Sequence, residues 1–249
     1  PMFNTVPKHC FPYVEKPLFQ QLDLVSLPRT LQLSKKQPSE KVTIFVVYYS
    51  MFGHTHKMAQ AVANGIEAAG GIAKLFQIPE TLPEEVLTKM NAPAKPAYPP
   101  VADPRALAEA DGVIFGFPLR FGMMAEQVKS WFDATGSLWQ KGLLVGKTAG
   151  VFFSTATQGG GQETAAWTLI TQLAHHGMLY VPTGYSNPAM FNMDQIHGGS
   201  AYGSGTFAGQ KHQRQPSKLE LGMAEHQGRM HCEYTTHLKK GLVAMNRKL

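Results

Sequence analysis

The fold is decided by residues 41–55, which read Lys41-Val-Thr-Ile-Phe-Val-Val-Tyr-Tyr-Ser50-Met-Phe-Gly53-His-Thr55. An apolar run of β-branched and aromatic residues ends there in a short polar loop. A helical pattern follows the loop, with apolar residues at Met58, Val62 and Ile66. This order predicts a buried strand that leads into a helix N-terminus, where unpaired N–H groups and the positive end of the helix dipole attract anions.

The loop at 50–55 carries groups that suit a phosphate. Ser50 and Thr55 supply hydroxyl donors, and Gly53 allows the backbone to approach a ligand closely. The loop has neither the lysine of a P-loop nor the three glycines of a dinucleotide fingerprint, so neither an NTPase nor a standard Rossmann site is indicated. Taken alone, the loop fits phosphate binding and an ordinary strand-to-helix turn equally well.

Two further apolar strands end in loops of similar character. Residues 114–122 read Ile-Phe-Gly-Phe-Pro-Leu-Arg-Phe-Gly, and residues 151–161 read Val-Phe-Phe-Ser-Thr-Ala-Thr-Gln-Gly-Gly-Gly. The carboxyl ends of parallel strands meet at one edge of a sheet, which is where open α/β sheets bind their ligands. The three loops are therefore predicted to form a single site.

The chain from residue 41 alternates between strand and helix patterns. Strands are predicted at 42–49, 72–77, 112–117, 147–154 and 178–182, and helices at 55–69, 84–90, 104–109, 124–135, 162–176 and 217–241. The alternation predicts an α/β fold, a doubly wound five-stranded parallel sheet of order 2-1-3-4-5. Residues 183–216 lack any period and are predicted to form an irregular insertion after the fifth strand. Long loops of this kind are usually functional.

The composition limits the classes of function. The chain has 249 residues, a net charge of +6 and two cysteines, Cys10 and Cys232. The basic residues are mostly dispersed and no nucleic-acid-binding motif accompanies them, so we expect no nucleic-acid partner. No apolar run approaches the roughly 18–20 residues of a membrane span, and no cysteines or histidines have metal-ligand spacing. We therefore expect no transmembrane segment, no metal and a cytoplasmic location, since so few cysteines suggest a reducing compartment.

Residues 1–40 differ in texture from the rest of the chain. They contain six prolines and no sustained period, together with apolar residues such as Phe3, Phe11 and Phe19. The segment lacks the continuous apolar core of a secretory signal, and disordered tails are usually poorer in aromatic residues. We therefore expect 1–40 to be an N-terminal extension that docks as an extended arm on its own domain, on a sister subunit or on a protein partner.

Seven segments, in order along the chain, resemble the WrbA-type NAD(P)H:quinone oxidoreductases, a flavodoxin-like family that binds FMN. They are residues 48–55, 118–122, 135–139, 154–163, 173–177, 198–203 and 214–217. The resemblance implies a flavodoxin-like FMN-binding domain over 41–249. It also implies two-electron reduction of a quinone substrate through the flavin, with NADH or NADPH as donor, in a homo-oligomer (a dimer or a tetramer).

The resemblance further implies a set of site residues. Trp139, His175 and Arg120 would be catalytic, with Trp139 as an aromatic wall for the substrate and Arg120 as a cation that favours the anionic reduced flavin. The cofactor-binding residues would be Ser50, Met51, Phe52, Gly53, His54, Thr55, Pro118, Leu119, Arg120, Phe121, Gly122, Ser154, Thr155, Ala156, Thr157, Gln158, Gly159 and His175. A core tryptophan, a core histidine and a surface arginine are the alternatives for the three catalytic positions.

The chain departs from the family pattern at several positions. Leu119 stands where the family usually has Thr, Asn192 where Asp is usual and Ala201 where Pro is usual. Gln210-Lys-His-Gln213 replaces a Gly-Asp-Gly-Ser-like stretch in the insertion. These changes, and the extension at 1–40, leave a second function open, namely an FMN-binding structural or interaction subunit of a larger assembly with little turnover.

Overall fold

The computed structural model of the protein describes residues 41–95 and 104–245; the predicted arm at 1–40 lies outside them. The strands in these ranges are β1 (Thr43–Tyr48), β2 (Ile72–Gln77), β3 (Gly112–Arg120), β4 (Met123–Met124), β5 (Thr148–Thr155), β6 (Leu179–Tyr180) and β7 (Gly205–Phe207). The α-helices are α1 (His54–Ala68), α2 (Glu84–Lys89), α3 (Glu126–Asp133), α4 (Gly136–Gln140), α5 (Gln162–His175) and α6 (Lys218–Ala244). Short 3₁₀ helices span Pro104–Glu109 and Pro188–Phe191.

The sheet confirms the predicted topology. Its order is β2-β1-β3-β5-β6, and all four pairings in that row are parallel. Two strands were not predicted: β4 forms an antiparallel hairpin with the end of β3, and β7 lies parallel to the carboxyl end of β5. The protein therefore has the flavodoxin-like arrangement with two additions, both at the carboxyl edge of the sheet.

Alternation along β1 shows why the sheet is covered on both faces. Ile44, Val46 and Tyr48 belong to a buried cluster with apolar residues of α1 and α6. The intervening residues of the strand, among them Phe45 and Val47, belong to a second cluster with α3 and α5. A parallel strand buried on both sides reads as a continuous apolar run, which is the pattern of residues 42–49.

The helices α1 and α6 lie unusually close together. A Cβ added at Gly65 of α1 would lie 1.9 Å from the carbonyl oxygen of Glu225, and one added at Gly228 of α6 would lie 2.0 Å from that of Val62. Only glycine fits at such a backbone contact. This packing fixes the position of α6 against α1.

The structure corrects the predicted fifth strand and its insertion. The strand is limited to Leu179–Tyr180, which pairs with the amino end of β5, whereas β7 pairs with Phe153, Ser154 and Thr155 at the carboxyl end. The chain thus leaves this edge position of the sheet and returns to it. A three-residue strand has no detectable period, so the sequence pattern could not predict it.

The other helix predictions need one correction and one addition. The helix expected at 124–135 is α3, but a second short helix, α4, follows it after a break and was not predicted; the segment Pro104–Glu109 is a 3₁₀ helix. Thr135 lies at the break, where its Oγ1 donates to the carbonyl of Phe132 at 2.6 Å. Within the described ranges, no helix is both long and apolar enough to cross a lipid bilayer.

Candidate functional site

The three predicted loops meet in one pocket at the carboxyl edge of the sheet. Strand register explains the meeting, because Tyr48 is opposite Gly116, Pro118 is opposite Ser154, and Ser154 is opposite Thr206. The pocket encloses about 440 Å³. It is lined by Ser50, Met51, Phe52, His54, Thr55, Pro118, Leu119, Arg120, Ser154, Thr155, Ala156, Ala208 and His212. None of these thirteen side chains is acidic, so the pocket favours an anionic ligand.

The first loop is fixed by Gly53 and by buried hydroxyl groups. Gly53 has φ +85°, in the left-handed region that favours glycine, and immediately precedes α1. Ser50 and Thr55 are both buried, and the Ser50 hydroxyl accepts a hydrogen bond from the N–H of His56 at 3.3 Å. The first N–H groups of a helix have no carbonyl acceptor within it, and those of His54 and Thr55 therefore remain for a ligand at this end of α1.

His54 attaches this loop to the insertion. Its ring is buried, and its Nε2 donates to the carbonyl oxygen of Arg214 at 2.8 Å, so this nitrogen carries the proton. Burial lowers the pKa of His54, and the hydrogen bond to the Arg214 carbonyl opposes the shift. A neutral ring held by a carbonyl is a positioning group, and it sets the distance between the loop at 50–55 and the turn before α6.

The second loop is a tight hairpin between β3 and β4. Phe121 and Gly122 both have positive φ, +53° and +73°, as in the turns that join twisted antiparallel strands. The Arg120 guanidinium donates to the carbonyl of Leu119 at 3.0 Å and reaches Sδ of Met51 at 3.9 Å. Arg120 is therefore a cation on the pocket wall, whereas the side chain of Phe121 is fully exposed.

The third loop presents two buried hydroxyl residues, Ser154 and Thr155. Thr155 Oγ1 donates to the carbonyl of Thr157 at 3.1 Å and accepts from Nε2 of Gln162 at 3.0 Å. The same Gln162 accepts from the N–H of Gly199 at 2.7 Å, which links the loop to the insertion. Predicted site residues Thr157, Gln158 and Gly159 continue this loop as an exposed segment beyond the pocket lining.

Sequence reasoning missed Ala208 and His212, which come from the insertion. The N–H of Ala208 donates to the carbonyl of Thr155 at 2.7 Å, just after β7. The ring of His212 stacks on Phe52, with the ring centroids 3.8 Å apart. Their place depends on the pairing of β7 with β5, so the only sequence signal was the departure from the family pattern at Gln210–Gln213.

A buried ion pair holds the insertion in place. Glu220 is fully buried and lies within 2.9 Å of the Arg214 guanidinium. It also accepts from the N–H of Ser217 at 2.7 Å, from the N–H of Gly198 at 3.0 Å and from the Thr206 hydroxyl at 3.0 Å. One carboxylate thus connects three parts of the insertion with the start of α6.

The structure does not bring Trp139 and His175 to this pocket within one chain. Trp139 lies on α4, shortly before the amino end of β5, and is 59% exposed. His175 is the exposed last residue of α5, which starts beside the pocket and runs to the other edge of the sheet. A helix of 14 residues is about 21 Å long. The next residue, His176, is a buried core histidine bonded to Thr135 Oγ1 at 2.9 Å.

The comparisons with known proteins agree with this architecture. Residues 41–192 match the family described as NADPH-dependent FMN reductase. The chain belongs to this family. It is 56% identical over 199 residues to a quinone oxidoreductase of Triphysaria versicolor (79% of this chain and 97% of the relative). It is 48% identical over 199 residues to an NAD(P)H dehydrogenase (quinone) of Trichlorobacter lovleyi (78% of this chain and 98% of the relative).

A solved structure supports the fold. The WrbA-like flavodoxin protein of Agrobacterium tumefaciens superposes with a TM-score of 0.57 at 25% identity, over 80% of this chain and 100% of that chain. The family and the fold identify FMN as the cofactor and NAD(P)H as the electron donor. The donor set of the pocket fits FMN, because buried hydroxyls, helix N–H groups and Arg120 surround a space without carboxylates.

Proposed function

We propose that this protein is an FMN-dependent NAD(P)H:quinone oxidoreductase that reduces quinones by two electrons. The observation that carries the proposal is the convergence of three loops, none contributing a carboxylate, on one pocket in a chain of the FMN reductase family. FMN, held by these loops, would supply the redox chemistry, namely hydride uptake from NAD(P)H and reduction of the quinone to the quinol by two electrons and two protons. We infer the quinone as substrate from the relatives, which are a quinone oxidoreductase and an NAD(P)H dehydrogenase (quinone).

Different loops of the pocket bind different parts of the cofactor in the proposed complex. We assign the phosphate to the loop at 50–55, because a dianion is stabilised by helix N–H groups and by the Ser50 and Thr55 hydroxyls. We assign the flavin ring and ribityl chain to the loops at 118–122 and 154–159. Arg120 keeps a positive charge at the wall, and Leu119, which lacks the usual hydroxyl, keeps that wall apolar.

A second, open cleft next to the pocket suits the substrates. It is bounded in part by Met51 and Arg120, which also line the pocket, and its space of about 860 Å³ includes open solvent. The nicotinamide ring and the quinone ring would occupy this cleft one after the other, each beside the same cofactor.

We also propose that the protein works as a homo-oligomer, a dimer or a tetramer. Trp139 and His175 lie at the opposite edge of the sheet from the pocket of their own chain and are exposed. They can face a flavin only if it belongs to another copy. This arrangement would complete the aromatic wall that ring-shaped substrates need.

We propose the cytoplasm as the location of the protein. Cys232 is a free, buried thiol, and free thiols are usual in reducing compartments. A protein partner that binds through residues 1–40 stays a prediction.

The experiment is anaerobic mixing of the FMN-loaded protein with NADH or NADPH, followed by benzoquinone. Loss of the flavin absorbance and its return on addition of benzoquinone are expected, with parallel lines in double-reciprocal plots because the two substrates use one site in turn. Retention of FMN without any reduction by NADH or NADPH would instead support an FMN-binding structural or interaction subunit.

A further inference from the structure

A turn in the insertion places a histidine over the first loop of the pocket. His212 has φ +59°, in the left-handed region that glycine adopts most easily. Its ring stacks on Phe52 at a centroid distance of 3.8 Å and an interplanar angle of 11°. The ring lines the same pocket as Ser50 and Thr55.

The turn is anchored on both sides of His212, so the ring has a defined position. The N–H of His212 donates to the carbonyl of Gly209 at 3.1 Å, and the N–H of Arg214 donates to the carbonyl of Ala208 at 2.9 Å. The Arg214 carbonyl in turn accepts from His54. The strained conformation at His212 is thus held by the surrounding hydrogen bonds and by the stack on Phe52.

The loop at 50–55 contains no lysine or arginine, so charge for a phosphate must come from elsewhere. The titratable groups that interact with the His212 ring are Arg120 across the pocket and His54 on α1; Lys57 of α1 acts on His54, and Lys211 precedes His212 in the same turn. Of these, Lys57 donates to Oε1 of Gln215 at 2.7 Å.

In the absence of an anion, these surroundings favour the neutral form of the His212 ring. Burial lowers the pKa of His212, and the positive charge of Arg120 lowers it further. A phosphate dianion at the loop has the opposite effect, since an opposite charge within a few ångströms raises the pKa of an imidazole.

We propose that His212 is a binding residue for the FMN phosphate, which it contacts as an imidazolium ion. The proposal rests on the assignment of the phosphate to the loop at 50–55. Binding of FMN then takes up a proton, because the pKa of His212 is lower in the free protein than in the complex. The affinity for FMN contributed by His212 is present at low pH and is lost as pH rises through the pKa that His212 has in the complex.

The test compares His212→Asn with the wild type in the full-length chain freed of flavin. Asparagine tolerates the left-handed conformation but cannot carry the charge. FMN and riboflavin are titrated by quenching of flavin fluorescence at about pH 6.5, near the ordinary pKa of histidine, and at about pH 8.5, well above it. Lys211→Gln is the matched control, because it removes a full positive charge from the neighbouring residue.

We expect His212→Asn to weaken FMN binding about two- to fivefold at the lower pH, the range of a solvent-accessible ion pair, and to have no effect at the higher pH. Riboflavin, which lacks the phosphate, should bind both proteins equally. Lys211→Gln should give a smaller effect that does not change between the two pH values.

Four results would overturn the proposal. Equal losses of riboflavin and FMN affinity would mean that His212 contacts the ring or the ribityl chain. Equal losses of FMN affinity in Lys211→Gln and His212→Asn would mean that FMN responds only to the total positive charge near the pocket, and not to a contact with His212. A wild-type protein that binds riboflavin as tightly as FMN would refute the phosphate site itself. If the wild type prefers FMN and His212→Asn binds FMN equally well, only the role of His212 is refuted.

Discussion

The two edges of the sheet differ: one chain builds a complete pocket at the carboxyl edge, but leaves exposed side chains at the amino edge. At the carboxyl edge, three loops and the insertion are connected by buried hydrogen bonds around His54, Gln162 and Glu220. At the amino edge, Trp139 and His175 are exposed to solvent. We infer that the cofactor cradle is a property of one chain, whereas the aromatic wall for the substrate depends on a second copy.

The largest effect on the carboxyl edge is expected from Gly53→Val. A β-branched residue resists the conformation at φ +85° and blocks the approach of a phosphate to the backbone. We expect FMN to be lost during purification, at least a ~100-fold loss of affinity, equivalent to roughly 3 kcal/mol. The flavin content of the purified protein is the measurement.

Gly70→Val is the matched control for Gly53→Val. Gly70 has the same φ of +85° and, like Gly53, has no atom within 4 Å of an added Cβ, but it follows the other end of α1. Gly70→Val should lose thermal stability to a similar extent but keep its full FMN content. A folded and fully yellow Gly53→Val protein would refute the phosphate assignment.

A second comparison uses one ion pair at each edge of the sheet, Arg214–Glu220 at the carboxyl edge and Lys239–Asp111 at the amino edge. Glu220→Ala leaves the Arg214 guanidinium without its buried partner, which should lower the free energy of unfolding by roughly 3 kcal/mol. FMN affinity should also fall, because the turn that carries His212 is released. Chemical denaturation and FMN titration measure the two effects.

Asp111→Ala is the amino-edge counterpart of Glu220→Ala. Asp111 pairs with Lys239 at 2.9 Å and accepts from the N–H of Thr43 at 2.8 Å. Both partners are partly exposed, so the expected cost is about 1 kcal/mol. FMN affinity should be unchanged, and a loss equal to that of Glu220→Ala would remove the distinction between the edges.

Thr55→Ala should have a moderate effect at the carboxyl edge. The buried hydroxyl donates to the phosphate in the proposed complex, and hydrogen bonds to charged groups contribute about 1.5–3 kcal/mol. We expect FMN to dissociate at least about tenfold more readily. Thr55→Ser should restore the affinity because it keeps the hydroxyl; failure to restore it would mean that packing around Thr55 is responsible.

The smallest effect is expected from Trp139→Ala at the amino edge. Loss of an aromatic stacking partner should raise the KM for quinone about three- to tenfold while FMN stays bound. Trp167→Ala is the control, since Trp167 is exposed to nearly the same extent, 58% against 59%. Steady-state kinetics with benzoquinone measure both variants.

Mixing of two variants tests whether Trp139 acts between copies. Gly53→Val supplies Trp139 without FMN, and Trp139→Ala supplies FMN without the tryptophan. Mixed oligomers should recover a low KM for quinone if the wall comes from a second copy. A KM that stays high after subunit exchange would assign Trp139 to its own chain and contradict the proposed assembly.

The core of the fold was predictable because its signals are local. Residues 42–49 form an apolar run long enough to indicate a buried strand, and Gly53 with Thr55 marks the start of α1. The alternation of such segments predicted the strand order, since right-handed crossovers leave few other topologies. Ser50, Arg120 and Ser154 could be assigned to one edge for the same reason.

Tertiary structure alone decided the other features. The strand β7 is three residues long and forms only because β5 offers an unpaired edge, and this pairing brings Ala208 and His212 to the pocket. The position of Trp139 and His175 at the far edge depends on the direction of α5 and on the break between α3 and α4. The sequence by itself determined the sheet and its three ligand loops, because short-range patterns encode strands and helix starts. Contacts between residues far apart in the chain leave no local period. Only the folded chain could therefore show that Ala208 and His212 line the pocket and that Trp139 and His175 lie away from it.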